Sequence, residues 1–267
     1  MLSAFTRYAP PETAFFTPAE VAAAWPFMTP APLADMAQKS IILTGPRIFA
    51  CVVSLAIAGC DSAPKPDAGL PQSGGETRAP AVFLTRFETS KGPFVIETHR
   101  SWAPRGADRF YQLVRSGFYD NTRFFRVVTS FMVQFGAHGD PEVNAAWESL
   151  TIPDDSVTQS NRRGFVSFAM AGPNTRTTQI FINLIDNTQL DGMGFAPFGQ
   201  VVEGMNVVDS LYADYGDSPP SGFGPDQLRL MREGNSYLER EFPKLDFIQT
   251  ARIVGDSAVA GDSAARR

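Results

Sequence analysis

The chain has 267 residues, of which 43% are hydrophobic and 19% charged, with 23 Lys and Arg against 28 Asp and Glu and a formal net charge of -5. That size suits one globular domain with flanking segments, and a mildly acidic balance excludes nucleic acid as the main partner, since phosphate binding needs clustered cations. The two cysteines, Cys51 and Cys60, and the two histidines, His99 and His138, do not fall at the spacing of a structural zinc site, and no apolar run reaches the ~20 residues of a spanning helix.

The first 80 residues differ from the rest: 11 of the 21 prolines lie before residue 81, whereas 17 of the 22 phenylalanines lie after it. Lys39 and Arg47 precede an apolar stretch, Ile48 to Ala58, that ends Ile57-Ala58-Gly59-Cys60. A basic flank, a short apolar run and small residues before a cut site predict a secretory signal. Because Met36 opens Met-Ala-Gln-Lys-Ser, translation is expected to begin there, with residues 1–35 a misassigned extension and residues 36–59 the signal. Residues 60–80, rich in Pro, Gly and Ser, predict a flexible linker. The small, polar residues 256–267 predict a disordered tail.

Between them, residues 81–255 read as the folded domain. Val82–Glu88 and Phe94–His99 alternate as strands around a turn at Ser90-Lys91-Gly92-Pro93. Ala103–Gly117 shifts to helical spacing, with Pro104 at its start and Gly117 at its end. Strands are expected at Arg123–Val128, Phe131–Phe135, Gly164–Ala169, Gln179–Leu184, Ala196–Val202 and Phe247–Val254, and a helix at Gly204–Leu211. An insertion, Tyr212–Leu245, combines a Gly/Pro-rich loop with one helix around Gln227–Glu241. Many short strands with turn signals and few helices predict a mainly β fold, a closed antiparallel barrel with helical plugs. Abundant phenylalanine in the strands argues for a filled interior and against a barrel that carries an apolar ligand inside.

Period two puts Phe124, Arg126 and Val128 on one face, so a cation lies among apolar neighbours. Gln134 follows Phe131-Met132-Val133, and Gln179 alternates with Phe181. A few polar donors among Phe and Met have the makeup of a ligand groove, although each residue by itself is equally at home as a solvated strand residue or as core.

The segment Phe125-Arg126-Val127-Val128-Thr129-Ser130-Phe131-Met132-Val133-Gln134 resembles a cyclophilin signature. Phe165 to Thr175 followed by Gln179-Ile180-Phe181-Ile182, and Leu190-Asp191-Gly192 followed by Phe198-Gly199-Gln200-Val201-Val202-Glu203-Gly204-Met205, resemble two more in the family's order. The resemblance implies an eight-stranded antiparallel β-barrel capped by two α-helices, and peptidyl-prolyl cis-trans isomerase activity with no cofactor or metal. By the same resemblance Arg126 is the catalytic arginine, and Gln134 holds it or the substrate. Phe131, Met132, Phe181 and Leu190 form the proline pocket, Gln179 hydrogen-bonds in the groove, and Ala169 and Met170 pair with the substrate chain. Phe195 falls where many relatives have histidine. Gln189 replaces a tryptophan common in strong cyclosporin binders, and Met170 a common asparagine. These departures keep alive a non-catalytic module that binds Pro-containing segments.

The Ile-Ala-Gly-Cys ending is similar to a bacterial lipobox, which implies lipidation of Cys60 and a cell-envelope protein facing the periplasm. Asp61 resembles an inner-membrane retention signal. The expected clients are unfolded or newly exported polypeptides with X-Pro bonds. The membrane is engaged through the anchor alone, and the protein is expected to be a monomer.

Overall fold

The computed structural model describes residues 69–71 and 77–256. The expected signal, Cys60 and residues 257–267 lie outside them.

Eight strands form one antiparallel sheet: β1 (Val82–Thr89), β2 (Gly92–His99), β3 (Arg126–Val128), β4 (Met132–Phe135), β5 (Phe165–Phe168), β6 (Ile180–Asn183), β7 (Pro197–Glu203) and β8 (Ile248–Asp256). Their spatial order is β3-β4-β6-β5-β7-β2-β1-β8. The sheet curls, and among the described residues no ladder pairs its two end strands directly, so the expected closure is not seen at the level of the strands. Its ends, β3 and β8, meet through the residues just before them: Arg123 bridges to Phe247, the Phe124 amide donates to the Asp246 carbonyl at 3.0 Å, and the Ile248 amide to the Thr122 carbonyl at 2.9 Å. The turn between β1 and β2 is also tighter than expected, because Gly92 and Pro93 already pair with Thr89 and Glu88.

The helices exceed the three expected, two capping the sheet and one in the insertion. Among the described residues they are α1 (Pro104–Arg115), α2 (Pro141–Glu148), α3 (Met205–Asp209), α4 (Gln227–Glu233) and α5 (Asn235–Glu241), with a 3-10 turn at Thr188–Met193. Helix α1 buries Ala107, Phe110, Leu113 and Val114 against the sheet. Its Ala103 cap has no side-chain acceptor, and Asp155 takes that place, accepting from the amides of Arg105 (3.0 Å) and Gly106 (2.9 Å). A carboxylate there satisfies orphan donors and complements the helix dipole. Helix α2 was missed because its only strong signal is the Asp140-Pro141 start, where the Asp140 side chain accepts from the Glu142 amide. The helix expected around Gln227–Glu241 is broken at Gly234, whose φ of +61° and close approach to the Gly139 carbonyl leave no room for a side chain.

Strand alternation sends Phe83, Phe87, Phe94, Ile96, Val133, Phe135, Val166, Phe168, Ile180, Ile182 and Phe198 into one core with Phe110 of α1. Phe87 stacks on Phe94 with ring centres 4.8 Å apart and meets Tyr119 and Phe135 edge-on, both at 5.9 Å. Each such pair contributes about 0.5–1.5 kcal/mol beyond its buried area. The interior is filled with side chains, as the phenylalanine content predicted.

Part of the expected linker is fastened to the domain. The Trp147 indole donates to the Gly69 carbonyl at 2.6 Å, the Gly69 amide donates to Ser116 at 2.8 Å, and the amide of the buried Ala79 donates to Asp108 at 2.8 Å. Composition marks Pro and Gly as linker-like, but these backbone groups find partners.

Candidate active site

The site lies on the outer face of the short strands β3, β4 and β6. While Val127, Val133, Phe135, Ile180 and Ile182 enter the core, the intervening Val128, Met132 and Phe181 join a separate apolar cluster with Ala169, Leu190 and Phe195, against which Phe131, Met170 and Met193 pack. Phe181 and Phe195 meet edge-on at 5.6 Å. Phe195 therefore forms a wall of this cluster. Beside it a cavity of about 290 Å³ opens between Met170–Pro173 and Met193–Phe195.

One expected face is not continuous. β3 begins at Arg126, and Phe124, just before it, turns into the core instead of sharing the outer face with Arg126 and Val128. Phe125 points elsewhere again, into a third cluster with Ala137, Leu230, Tyr237, Leu238 and Leu245. Period two fails here because Phe124 and Phe125 precede the β3–β4 ladder, which begins at Arg126.

The three polar residues singled out in the sequence are brought together as one chain of hydrogen bonds. Arg126 lies opposite Gln134 in the β3–β4 register, and Gln134 opposite Phe181 in the β4–β6 register. Arg126 Nη1 donates to Gln134 Oε1 at 3.0 Å, and Gln134 Nε2 donates to Gln179 Oε1 at 2.8 Å. Arg126 and Gln134 are 1% exposed and Gln179 8%. Buried polar groups are costly unless paired, and here each orients the next.

Gln179 owes its place to a pinned segment before β6. Thr178 donates from Oγ1 to the Gly136 carbonyl at 2.9 Å, while its own carbonyl accepts from Tyr119 at 3.2 Å. Gly136 has a φ of +100°, and a Cβ there would lie 2.6 Å from the Thr178 carbonyl. Only glycine allows both the turn and the approach.

Sequence reasoning missed the asparagine scaffold behind the apolar cluster. Asn161 donates from Nδ2 to Asp191 Oδ1 and to the Phe195 carbonyl, both at 2.8 Å, and Asn187 Nδ2 donates to the Phe131 carbonyl at 2.8 Å. Asn187 also donates to Asn183 at 2.8 Å. These bonds fix the 3-10 turn that presents Leu190. It also missed Asp217, whose carboxylate accepts from Arg126 Nε at 2.5 Å and Nη2 at 3.2 Å. Ninety-one positions separate the two residues, and no motif spacing links them.

Residues 84–221 match the family model for cyclophilin type peptidyl-prolyl cis-trans isomerases. Peptidyl-prolyl cis-trans isomerase B of Escherichia coli is 34% identical over 173 residues, 62% of this chain and 95% of that protein. Peptidyl-prolyl cis-trans isomerase CYP18-2 of Arabidopsis thaliana is 38% identical over 142 residues, 51% of this chain and 82% of its own. A crystal structure of a Cryptosporidium parvum cyclophilin type isomerase aligns over 66% of this chain and 99% of its own, with a TM-score of 0.49 and 24% identity.

Proposed function

The chain belongs to the cyclophilin-type peptidyl-prolyl cis-trans isomerase family and catalyses rotation about X-Pro bonds, and we propose that it does so with Arg126 as the hydrogen-bond donor beside an apolar seat for the proline ring. Rotation about a peptide bond faces a barrier of about 18–20 kcal/mol, because resonance gives the C–N bond double-bond character. No bond has to break. As the amide twists, its nitrogen loses resonance and becomes a better acceptor, so a donor fixed near it binds the transition state more tightly than either ground state.

The observation that carries this reading is the placement of a buried arginine, aimed by Gln134, next to the cluster of Met132, Phe181, Leu190 and Phe195. In a site shielded from water, a fixed guanidinium acts at low effective dielectric. Phe131, Met132, Phe181 and Leu190 take the proline ring, with Phe195 as a further wall. Ala169 and Met170 flank the substrate backbone, and Gln179 steadies Gln134. A rate gain near 10⁵ needs about 7 kcal/mol, within reach of preorganised electrostatics in a dry pocket.

The test is a protease-coupled assay of an X-Pro tetrapeptide with wild type and Arg126→Ala. Loss of most acceleration in a folded variant is expected; an unchanged rate rejects the role of Arg126. A folded wild type with no acceleration across several residues before the proline favours a module that only binds Pro-containing segments.

We also place the enzyme in the cell envelope, anchored by acylated Cys60 and serving newly exported chains as a monomer. The support is the basic flank, the apolar run and the Ile57-Ala58-Gly59-Cys60 ending. Cys60→Ala should abolish incorporation of a fatty-acid label and release the protein from membranes. Full incorporation by the variant would reject the anchor.

A further inference from the structure

We propose that Asp217, carried by the insertion after α3, is a positioning residue for Arg126, so that the Tyr212–Leu245 insertion is a working part of the active site. The inference rests on the reading of Arg126 as the hydrogen-bond donor.

A guanidinium has five N–H donors in a planar fork, at the end of a side chain with several rotatable bonds. Gln134 takes one donor of Nη1. That bond by itself fixes one N–H direction and not the plane of the group. Asp217 accepts along a different edge, from Nε at 2.5 Å and from Nη2 at 3.2 Å. A two-point carboxylate grip sets both the direction and the plane of the group. The Arg126 side chain is fully buried and that of Asp217 is 21% exposed. The carboxylate thus also supplies a negative charge to a cation held away from water, which otherwise carries a desolvation cost.

The loop is built to hold that carboxylate in place. The Asp217 carbonyl accepts from the Gly224 amide at 2.8 Å, and Asp217 Oδ1 accepts from the Ser218 amide at 2.7 Å. A Cβ on Gly222 would lie 2.3 Å from the Asp217 carbonyl, and one on Gly224 2.9 Å from it. Both positions require glycine because the loop closes tightly around residue 217. At the loop base, Tyr215 meets Tyr212 and Phe242 with ring centres 5.0 Å away in each case. That aromatic base joins the cluster of α4, α5 and Phe125, the residue directly before Arg126. The insertion touches the site a second time, where Gln179 Nε2 lies 3.9 Å from the sulfur of Met231 on α4. It therefore bears on both ends of the Arg126–Gln134–Gln179 chain.

The experiment measures kcat and KM separately, by exchange line-shape analysis on an X-Pro peptide, for Asp217→Ala and Asp217→Asn in the full chain. The Arg126 Nε–H signal is followed in parallel. Misaligning a catalytic group can cost up to about 100-fold. For Asp217→Ala we expect kcat to fall about tenfold or more with little change in KM, and the Arg126 Nε–H to exchange faster with solvent. Asp217→Asn, which keeps one acceptor oxygen, should fall between Asp217→Ala and wild type. A folded Asp217→Ala with unchanged or higher kcat overturns the proposal, as does an Arg126 Nε–H signal that does not respond. If Asp217→Ala melts near the assay temperature, Asp217→Asn carries the test under the same criteria. The two readings fail separately. An active Arg126→Ala rejects the donor itself, whereas an inactive Arg126→Ala beside a fully active Asp217→Ala rejects Asp217 alone.

Discussion

Arg126 and Gln134 face each other across the β3–β4 pair, and the arginine Nη1 donates to the glutamine Oε1 at 3.0 Å while both are almost fully buried. The pairing makes Gln134 the relay between the cation and Gln179.

Gln134→Leu keeps the volume and removes the acceptor. A hydrogen bond to a charged group contributes about 1.5–3 kcal/mol, and leaving a buried donor unpaired costs more than the bond is worth. We expect kcat/KM for an X-Pro peptide to drop by about tenfold or more and the midpoint of thermal unfolding to fall by several degrees, since the unpaired groups are buried in the folded state. Wild-type turnover in the variant would show that Arg126 needs no support from β4.

Phe181 has no exposed surface and meets Phe195 edge-on. Phe181→Ala removes a wall of the proposed proline seat and leaves a cavity, at a cost of about 3–5 kcal/mol. Activity and stability should fall together. Urea denaturation beside the peptide assay checks this, and a stable but inactive variant would place Phe181 in the substrate's path and outside the packing.

Asn161 is fully buried and accepts from Ser167 while donating to Asp191 and the Phe195 carbonyl. Asn161→Ala orphans several groups, at about 1–3 kcal/mol each. It should destabilise the protein and weaken peptide binding, because the 3-10 turn that carries Leu190 loses its anchor. Hydrogen exchange at residues 188–195 should rise in step; unaltered protection there would mean that the turn is held by other contacts.

His138 packs against Phe118 at 5.4 Å, and its Nδ1 accepts from the Asp140 amide at 3.0 Å. Burial lowers its pKa below the ordinary value of 6.5, against a smaller opposing influence of Asp140 and Asp120. With the folded pKa below the unfolded one, the unfolded chain takes up a proton first as pH falls. Stability is therefore fully present above about pH 6.5 and is lost as pH falls from there toward the folded pKa. Thermal melts at pH 5 and 7.5 should show a drop that shrinks in His138→Asn; equal drops would assign the acid sensitivity to carboxylates.

Some features are decided locally, and these were legible in the sequence. Alternation over Val82–Glu88 and Phe94–His99, the helical spacing from Pro104 onward and the three short signatures each depend on neighbours within a few residues. They located the strands and α1, and they named Arg126, Gln134, Gln179 and the apolar cluster. Periodicity failed where the chain was short or about to bend. Phe124 enters the core although it shares parity with Arg126, and Gly234 divides a helical pattern because Gly139 approaches its backbone. The asparagine scaffold was invisible because a lone Asn in a loop has no spacing rule; only packing decides whether it is solvated or buried among carbonyls.

The sequence alone determined the kind of protein this is: a mainly β domain with an arginine set among phenylalanines and methionines in a recurring order. The tertiary structure alone decided what surrounds that arginine. Asp217 is remote in the chain, and in one dimension it is one polar residue of a Gly/Pro-rich loop. It becomes a partner of Arg126 only because glycines 222 and 224 let the loop close on Asp217 and the aromatic cluster behind β3 holds the loop against the sheet. Short-range sterics write motifs into sequence, but charge pairing across a fold depends on where packing brings the two groups.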